Sequence, residues 1–160
     1  MSKPTIIVTH SSGLQHDTGA FHPESPDRLR SVLKALDQSI FKSLPRENAP
    51  EATPEQIARA HPGDFIKKIM AAMPREGLSH LDPDTVVSPG SGQAVLRAAG
   101  AVVSAVDAVA QGKARNAFCA VRPPGHHAES HRAMGFCVVN NIAVGAYHAR
   151  AVPPFSARPL

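Results

Sequence analysis

Hydrophobic positions in this chain switch between short unbroken runs and helical stripes, and the switches mark its elements. Thr5-Ile6-Ile7-Val8-Thr9 is a β-branched run without polar alternation, the pattern of a strand buried on both faces of a parallel sheet. After a glycine-containing loop, His10 to His22, the period becomes helical. Leu29, Val32, Leu33, Leu36 and Ile40 recur behind the start signal Ser25-Pro26-Asp27, and Leu44-Pro45 closes the element. Thr53-Pro54-Glu55 repeats that signal for a short helix to Ala60. Asp64 caps another, with the stripe Phe65, Ile66, Ile69, Met70 and Met73, whose methionines read as core filler. Residues 77–92 turn to Pro, Gly, Asp and Ser, a long surface loop of the kind that often carries function. Gly92 to Gln111 is the strongest helix, with Val95, Ala99, Val102, Val106 and Val109 on one face, Gly112 as its stop, and small residues including Gly100 that predict close packing on a sheet. A strand over Asn116 to Val121 and a helix over Val138 to Ala151 follow. Alternating strands and helices without internal repeats predict an α/β layered fold.

One stretch stands apart from this alternation. Arg122-Pro123-Pro124-Gly125-His126-His127-Ala128-Glu129 directly follows the last strand. Two prolines fix φ and a glycine permits a sharp bend, so two adjacent imidazoles are presented on a stiff loop at a strand end, where open α/β sheets hold their ligands. On an extended segment neighbouring side chains point opposite ways, which predicts two different jobs. One imidazole can exchange a proton near neutral pH; a second, kept protonated, would hold positive charge beside a developing oxyanion. The competing reading is a pair of idle loop histidines. Direct metal binding by His126, His127, Glu129 and His131 is disfavoured, because their spacing is neither His-Glu-x-x-His nor a cysteine–histidine pattern. Gly90-x-Gly92 lacks the third glycine and the preceding strand of a nucleotide loop. His16, His61, His80 and His148 read as ordinary structural histidines.

Composition narrows the class. The 160 residues are 42% hydrophobic, enough for one domain with a real core. Aromatic content is only 4%, so that core rests on Val, Ile, Leu and Ala. Fifteen prolines, nearly twice the usual share of about 5%, punctuate the loops. Seventeen basic against thirteen acidic residues give a net charge of +4, but the basic residues form no stripe, which argues against nucleic acid. Cys119 and Cys137 lack Cys-x-x-Cys spacing and predict buried thiols in a reducing compartment. No signal segment and no membrane-spanning run is read from the chain, and the expectation is a soluble cytoplasmic protein with no membrane partner.

The octet, together with Ser88-Pro89-Gly90-Ser91, Met134-Gly135-Phe136-Cys137, Asn140-Asn141-Ile142-Ala143 and the upstream His22-Pro23-Glu24-Ser25-Pro26-Asp27-Arg28-Leu29, resembles the histone deacetylase family. The likeness is nearest to the class II-like bacterial branch that includes acetylpolyamine amidohydrolases, and it covers most of residues 10 to 150. It implies an arginase/deacetylase-like three-layer α/β fold with a parallel sheet, of which this is the N-terminal half. It implies a zinc-dependent hydrolase of acetylated lysine or polyamine amines. By the same resemblance His127 matches the general base that later acts as acid, and His126 the neighbour that orients water. Gly135 and Phe136 match the lining of a narrow acyl-amine channel, His22 and Pro23 its rim loop, Arg28 a position near its foot, and Asp84 its rim.

The family's zinc ligands, an Asp-x-His pair and a further Asp, are not found. Where they belong the chain reads Val152-Pro153-Pro154-Phe155-Ser156-Ala157-Arg158-Pro159-Leu160, too rich in proline for a central strand. The expectation is therefore a deacetylase portion over 1–151 with a non-family tail over 152–160, truncated, inactive by itself and holding no zinc alone. A half-sheet would expose an edge that a second copy or a partner covers. A non-catalytic module that keeps the acyl-amine channel for recognition is the alternative, and ureohydrolase relatives of the same fold rank below both.

Overall fold

A computed structural model describes residues 3–154. β1 (Thr5–Thr9), with Ile6, Ile7 and Val8 buried, is the middle strand of the main sheet. After the loop from His10 to Ser25 come α1 (Pro26–Leu36) and β2 (Arg46–Asn48), which pairs parallel with β1, Ile7 opposite Arg46. Two short helices, α2 (Pro54–Ala58) and α3 (Phe65–Ala71), lead to an antiparallel hairpin of β3 (Ser79–Asp82) and β4 (Thr85–Val87). α4 (Ser91–Ala110), β5 (Asn116–Ala120) and α5 (Asn141–Ala151) follow. β5 pairs parallel with the other side of β1, Ile7 opposite Phe118, so the order is β2–β1–β5.

The period-two geometry of β1 builds the layers. Ile6 and Val8 pack on Ala101, Ala105 and Ala108 of α4, whereas Ile7 packs on Leu29 and Leu36 of α1 and on Ala120. The sheet is thus the middle of three layers, the α/β arrangement expected. A second body of core joins Ile57, Phe65, Ile66, Ile69, Val95, Val138, Val139 and Val144 around α4 and the start of α5.

Several sequence expectations are corrected. α1 stops at Leu36, whose carbonyl accepts a hydrogen bond from Arg46 at 2.6 Å, and Ile40 lies exposed in the following 3-10 turn. Ser25 and Asp64 occupy N-cap positions without capping through their side chains; Asp64 pairs with Lys68. Met70 is 37% exposed, whereas Met73 packs against the core as expected. β2 is wholly polar and exposed, so only its backbone ladder to β1 makes it a strand. The surface loop of 77–92 is the β3–β4 hairpin, with Thr85, Val86, Val87 and Ser88 buried. In α4 Ala101, Ala105 and Ala108 face the sheet, and Val102, Val106 and Val109 line an open apolar groove beside β5. A Cβ on Gly100 would strike the Pro50 carbonyl, so its close contact is with a loop rather than with the sheet. α5 begins at Asn141, after the buried Val138 and Val139. By length and composition α4 is long and apolar enough to cross a membrane, contrary to expectation; in the fold it packs against β1 and α5. Among the described residues nothing pairs with the outer edge of β5, where Phe118 is half-exposed. Residues 155–160 of the expected tail lie outside the described residues.

Candidate active site

The two-histidine turn leaves the C-terminal end of β5 and is anchored on both flanks. On the entry side Arg122 is fully buried and its donors are saturated. Its Nε and one terminal nitrogen donate to the two carboxylate oxygens of Glu24, each at 2.7 Å, and the same nitrogen reaches the Glu24 carbonyl at 3.3 Å. The other nitrogen donates to the carbonyls of Gly13 at 2.6 Å and His16 at 2.9 Å. One guanidinium therefore staples the His10–Ser25 loop to the start of the turn. On the exit side the Asn140 amide donates to Ala128 O at 2.8 Å, while its oxygen caps α5 by accepting the Ala143 N–H. Asn141 donates to Pro123 O at 3.2 Å. His61 accepts the Asn140 N–H at Nε2 (2.8 Å), so its Nδ1–H donates to Ser130 O at 3.0 Å. Gly125 lies so close to Val139 O that a Cβ would sit 2.7 Å from it.

His126 and His127 are both exposed and line one cavity of about 480 Å³, with Pro124, Met134, Gly135, Phe136, Asp82 and Asp84. Their ring centroids are 4.3 Å apart, tilted by 51°. The expected opposite orientation fails because the segment is a turn, not extended chain. Gly135, at φ 59°, lies against His127; a Cβ there would be 2.7 Å from the histidine Cβ. Phe136 follows at φ 66°. The hairpin holds this pair: Gly135 N–H donates to Asp84 Oδ1 and Phe136 N–H to Thr85 Oγ1, both at 3.1 Å. His22 meets the Phe136 ring edge-on at 4.9 Å. It accepts the Glu24 N–H at Nδ1 (3.1 Å) and donates from Nε2 to Asp84 O (3.2 Å).

The structure thus gathers His126, His127, Gly135, Phe136 and Asp84 around one cavity and sets His22 at its edge, with Pro23 exposed beside it. Arg28 is spent elsewhere, donating from Nε to Glu24 Oε1 at 3.1 Å, and does not line this cavity. Asp82, at the cavity with Asp84, is paired with Arg132 at 2.8 Å, and that cation holds its carboxyl below the usual range.

Sequence reasoning missed the support behind the site. Glu24 and Arg122 stand inside quoted motifs, but 98 positions separate them and no local pattern couples them. Burial would raise the Glu24 pKa; the hydrogen bonds and charges of Arg122, then Arg28, outweigh it and bring the group below its ordinary value. His16 is buried with Nδ1 2.6 Å from Ser91 Oγ, and burial first, then the Arg122 charge, lowers its pKa to about 4. His16 is therefore neutral at pH 7 and its 3.8 Å approach to Glu24 is no ion pair. Burial also lowers the pKa of His61, which stacks on Phe65. His148 bridges Arg59 at 2.7 Å and Asp107 at 2.8 Å. These three are satisfied core histidines, as expected, and His80 lies exposed on β3.

Among the described residues no group of three or more His, Cys, Asp or Glu side chains converges to hold a metal ion. What does converge is a pair of imidazoles, a glycine–aromatic wall and an acidic edge at the carboxyl end of a parallel strand. This is a concave site with convergent polar groups at the edge of the sheet of a three-layer α/β protein, the usual place for a small-molecule or side-chain ligand. The chain belongs to the histone deacetylase domain family, whose sequence model matches residues 22–155. It is 38% identical over 139 residues to a histone deacetylase-like amidohydrolase of Pseudomonas aeruginosa, covering 86% of this chain and 36% of that protein. It is 33% identical over 156 residues to the polyamine deacetylase HDAC10 of Homo sapiens, covering 91% of this chain and 23% of that one. The crystal structure of the HDA15 HD domain superposes with a TM-score of 0.87 at 31% identity, covering 94% of this chain and 44% of that one. The chain therefore spans less than half the length of each of these relatives.

Proposed function

We propose that this chain supplies the proton-transfer side of a hydrolase that removes acetyl groups from acetylated lysine or polyamine amines. The observation that carries the reading is the pairing of His126 and His127 at 4.3 Å on a cavity walled by Gly135 and Phe136, in a chain of this family. His127, seated on Gly135, takes a proton from the attacking water and returns it to the leaving amine nitrogen. His126 holds charge beside the oxygen that becomes negative. Phe136, fixed by the hairpin and by His22, guides the alkyl chain of the amine and keeps water from its flank.

The family is generally zinc-dependent, and zinc would supply carbonyl polarisation and water activation. The described residues do not fit a zinc site, so the ligands of a working enzyme come from other residues. By this proposal the 160-residue chain alone neither turns over substrate nor retains stoichiometric zinc, and a further segment or partner covers the outer edge of β5. The free thiols of Cys119 and Cys137 support a reducing, cytoplasmic setting.

The test is a titration of the purified chain with an acetyl-lysine peptide and with N-acetylputrescine, following the imidazole resonances of His126 and His127 by NMR, with metal analysis and an acetate-release assay alongside. Saturable shifts of both rings without turnover are expected, and His127→Asn abolishes acetate release in any full-length form that is active. Unperturbed rings refute the site. One tightly held zinc per chain with turnover refutes the division of the machinery. Binding with no turnover in a full-length form that holds zinc favours the recognition module instead.

A further inference from the structure

We propose that Phe21 is a specificity-determining residue of this site, one that grips an apolar or aromatic group next to the acylated amine, outside the cavity mouth. The proposal deepens the reading above and rests on it. Among the described residues only two non-glycine positions adopt positive φ, Phe21 at 65° and Phe136 at 66°. Bulky side chains rarely enter that region, and such strain persists where the surrounding structure enforces it, often at functional sites. Both positions are phenylalanines, one in the cavity wall and the other in the loop that carries His22. Phe136 lines the cavity, its ring meets His22, and Phe21 is the residue before His22. Phe21 thus stands next in the chain to the imidazole that borders the cavity wall.

Phe21 also has no packing role in the fold. Its relative exposure is 105%, the highest among the exposed large hydrophobic residues. A phenyl ring fully in water, on a strained backbone, is costly twice over and supports nothing around it. The loop beneath it is nevertheless firmly held. Gly19 N–H donates to Asp17 Oδ1 at 2.9 Å, Thr18 Oγ1 donates to Glu24 O at 2.6 Å, and the Leu78 side chain packs against Gly19. His22 ties the far side of the loop to Glu24 and Asp84. A ring presented on a preformed loop loses little freedom when a ligand covers it, which suits recognition. Leu78, 46% exposed against Gly19, is the other exposed large hydrophobic residue at this loop, and a ring with one aliphatic neighbour fits a substrate group better than a broad partner surface. The exposed Phe118, Ile142 and Tyr147 belong to other elements, β5 and α5. The chemistry selected is an acetyl-lysine flanked by an aromatic or aliphatic side chain, rather than a bare N-acetyl polyamine that offers Phe21 nothing to hold.

The chain contains no tryptophan, so Phe21→Trp places a sole indole at this position. The unaltered chain, Phe21→Trp and Phe21→Gly are titrated with acetyl-lysine peptides carrying Phe or Gly beside the acetyl-lysine, and with N-acetylputrescine. The imidazole resonances of His126 and His127 report cavity occupancy independently. The expected result is about tenfold tighter binding of the Phe-flanked than of the Gly-flanked peptide, the worth of one aromatic contact. Phe21→Gly erases that preference, and only the Phe-flanked peptide shifts the indole emission to the blue. Because glycine accepts positive φ, Phe21→Gly melts no lower than the parent chain. A preference that survives in Phe21→Gly overturns the inference while the deacetylase reading stands. Imidazole resonances silent to every acetylated ligand overturn both. A clear loss of melting temperature in Phe21→Gly makes the residue structural, and a change of oligomeric mass makes it an assembly contact; either result overturns the inference.

Discussion

Glu24→Ala removes the carboxylate that, alone among the described residues, faces the buried Arg122 guanidinium at hydrogen-bonding distance. Two charge-assisted bonds of 2.7 Å vanish, and the three that remain end on carbonyl oxygens, which accept hydrogen bonds without neutralising the cation. Breaking a buried pair from one side costs about 3–5 kcal/mol, because the surviving charge stays desolvated. Against a typical domain stability of about 5–15 kcal/mol, that is a large fraction of the whole. Arg122→Met removes the charge as well, but leaves the Gly13 and His16 carbonyls without donors. The double variant should therefore cost less than the sum of the two single ones by about 2 kcal/mol or more. Urea unfolding followed by circular dichroism reads these values from the midpoint at constant slope. In the single variants the His126 and His127 resonances should also move, since Arg122 opens the turn that carries them. A cost under about 1 kcal/mol for Glu24→Ala, or strict additivity in the cycle, refutes the view that this pair holds the rim loop to the turn.

Acidification offers a second test. His16 titrates near pH 4 in the fold and near 6.5 when unfolded, so the unfolded chain binds the proton first. Its contribution, about 3 kcal/mol, is complete above pH 6.5 and is lost as pH falls towards 4. Glu24, with its pKa depressed, adds stability above its unfolded pKa that disappears as pH drops through the folded one. Both losses run in the same direction, and His16→Gln should flatten the pH 4–6.5 part of a melting-temperature profile; an unchanged profile refutes the assignment. Gly135→Ala forces a Cβ to within 2.7 Å of the His127 Cβ at φ 59°, and should cost about 1–3 kcal/mol and displace the His127 resonances. Unmoved resonances and an unchanged melting temperature count against the seat described for that imidazole.

Where the sequence was legible, the information was local. β1 shows as an unbroken β-branched run and α4 as a long small-residue stripe, because burial of a whole strand or helix repeats with the period of the element itself. The turn shows because proline and glycine restrict the backbone wherever they stand, and two imidazoles between such residues have few other reasons to be adjacent. Tertiary structure decided what depends on distant partners. Arg46-Glu47-Asn48 is a strand only because β1 offers it a ladder. Asp84 and Thr85 look like loop residues until their oxygens receive the N–H groups of Gly135 and Phe136. His126 and His127 share one cavity because anchors on both flanks bend their segment out of the extended form in which they would diverge. Above all, the pairing of Glu24 with Arg122 has no trace in either neighbourhood, since a buried charge is tolerable only when its counter-charge is delivered from another part of the chain, and only folding makes that delivery.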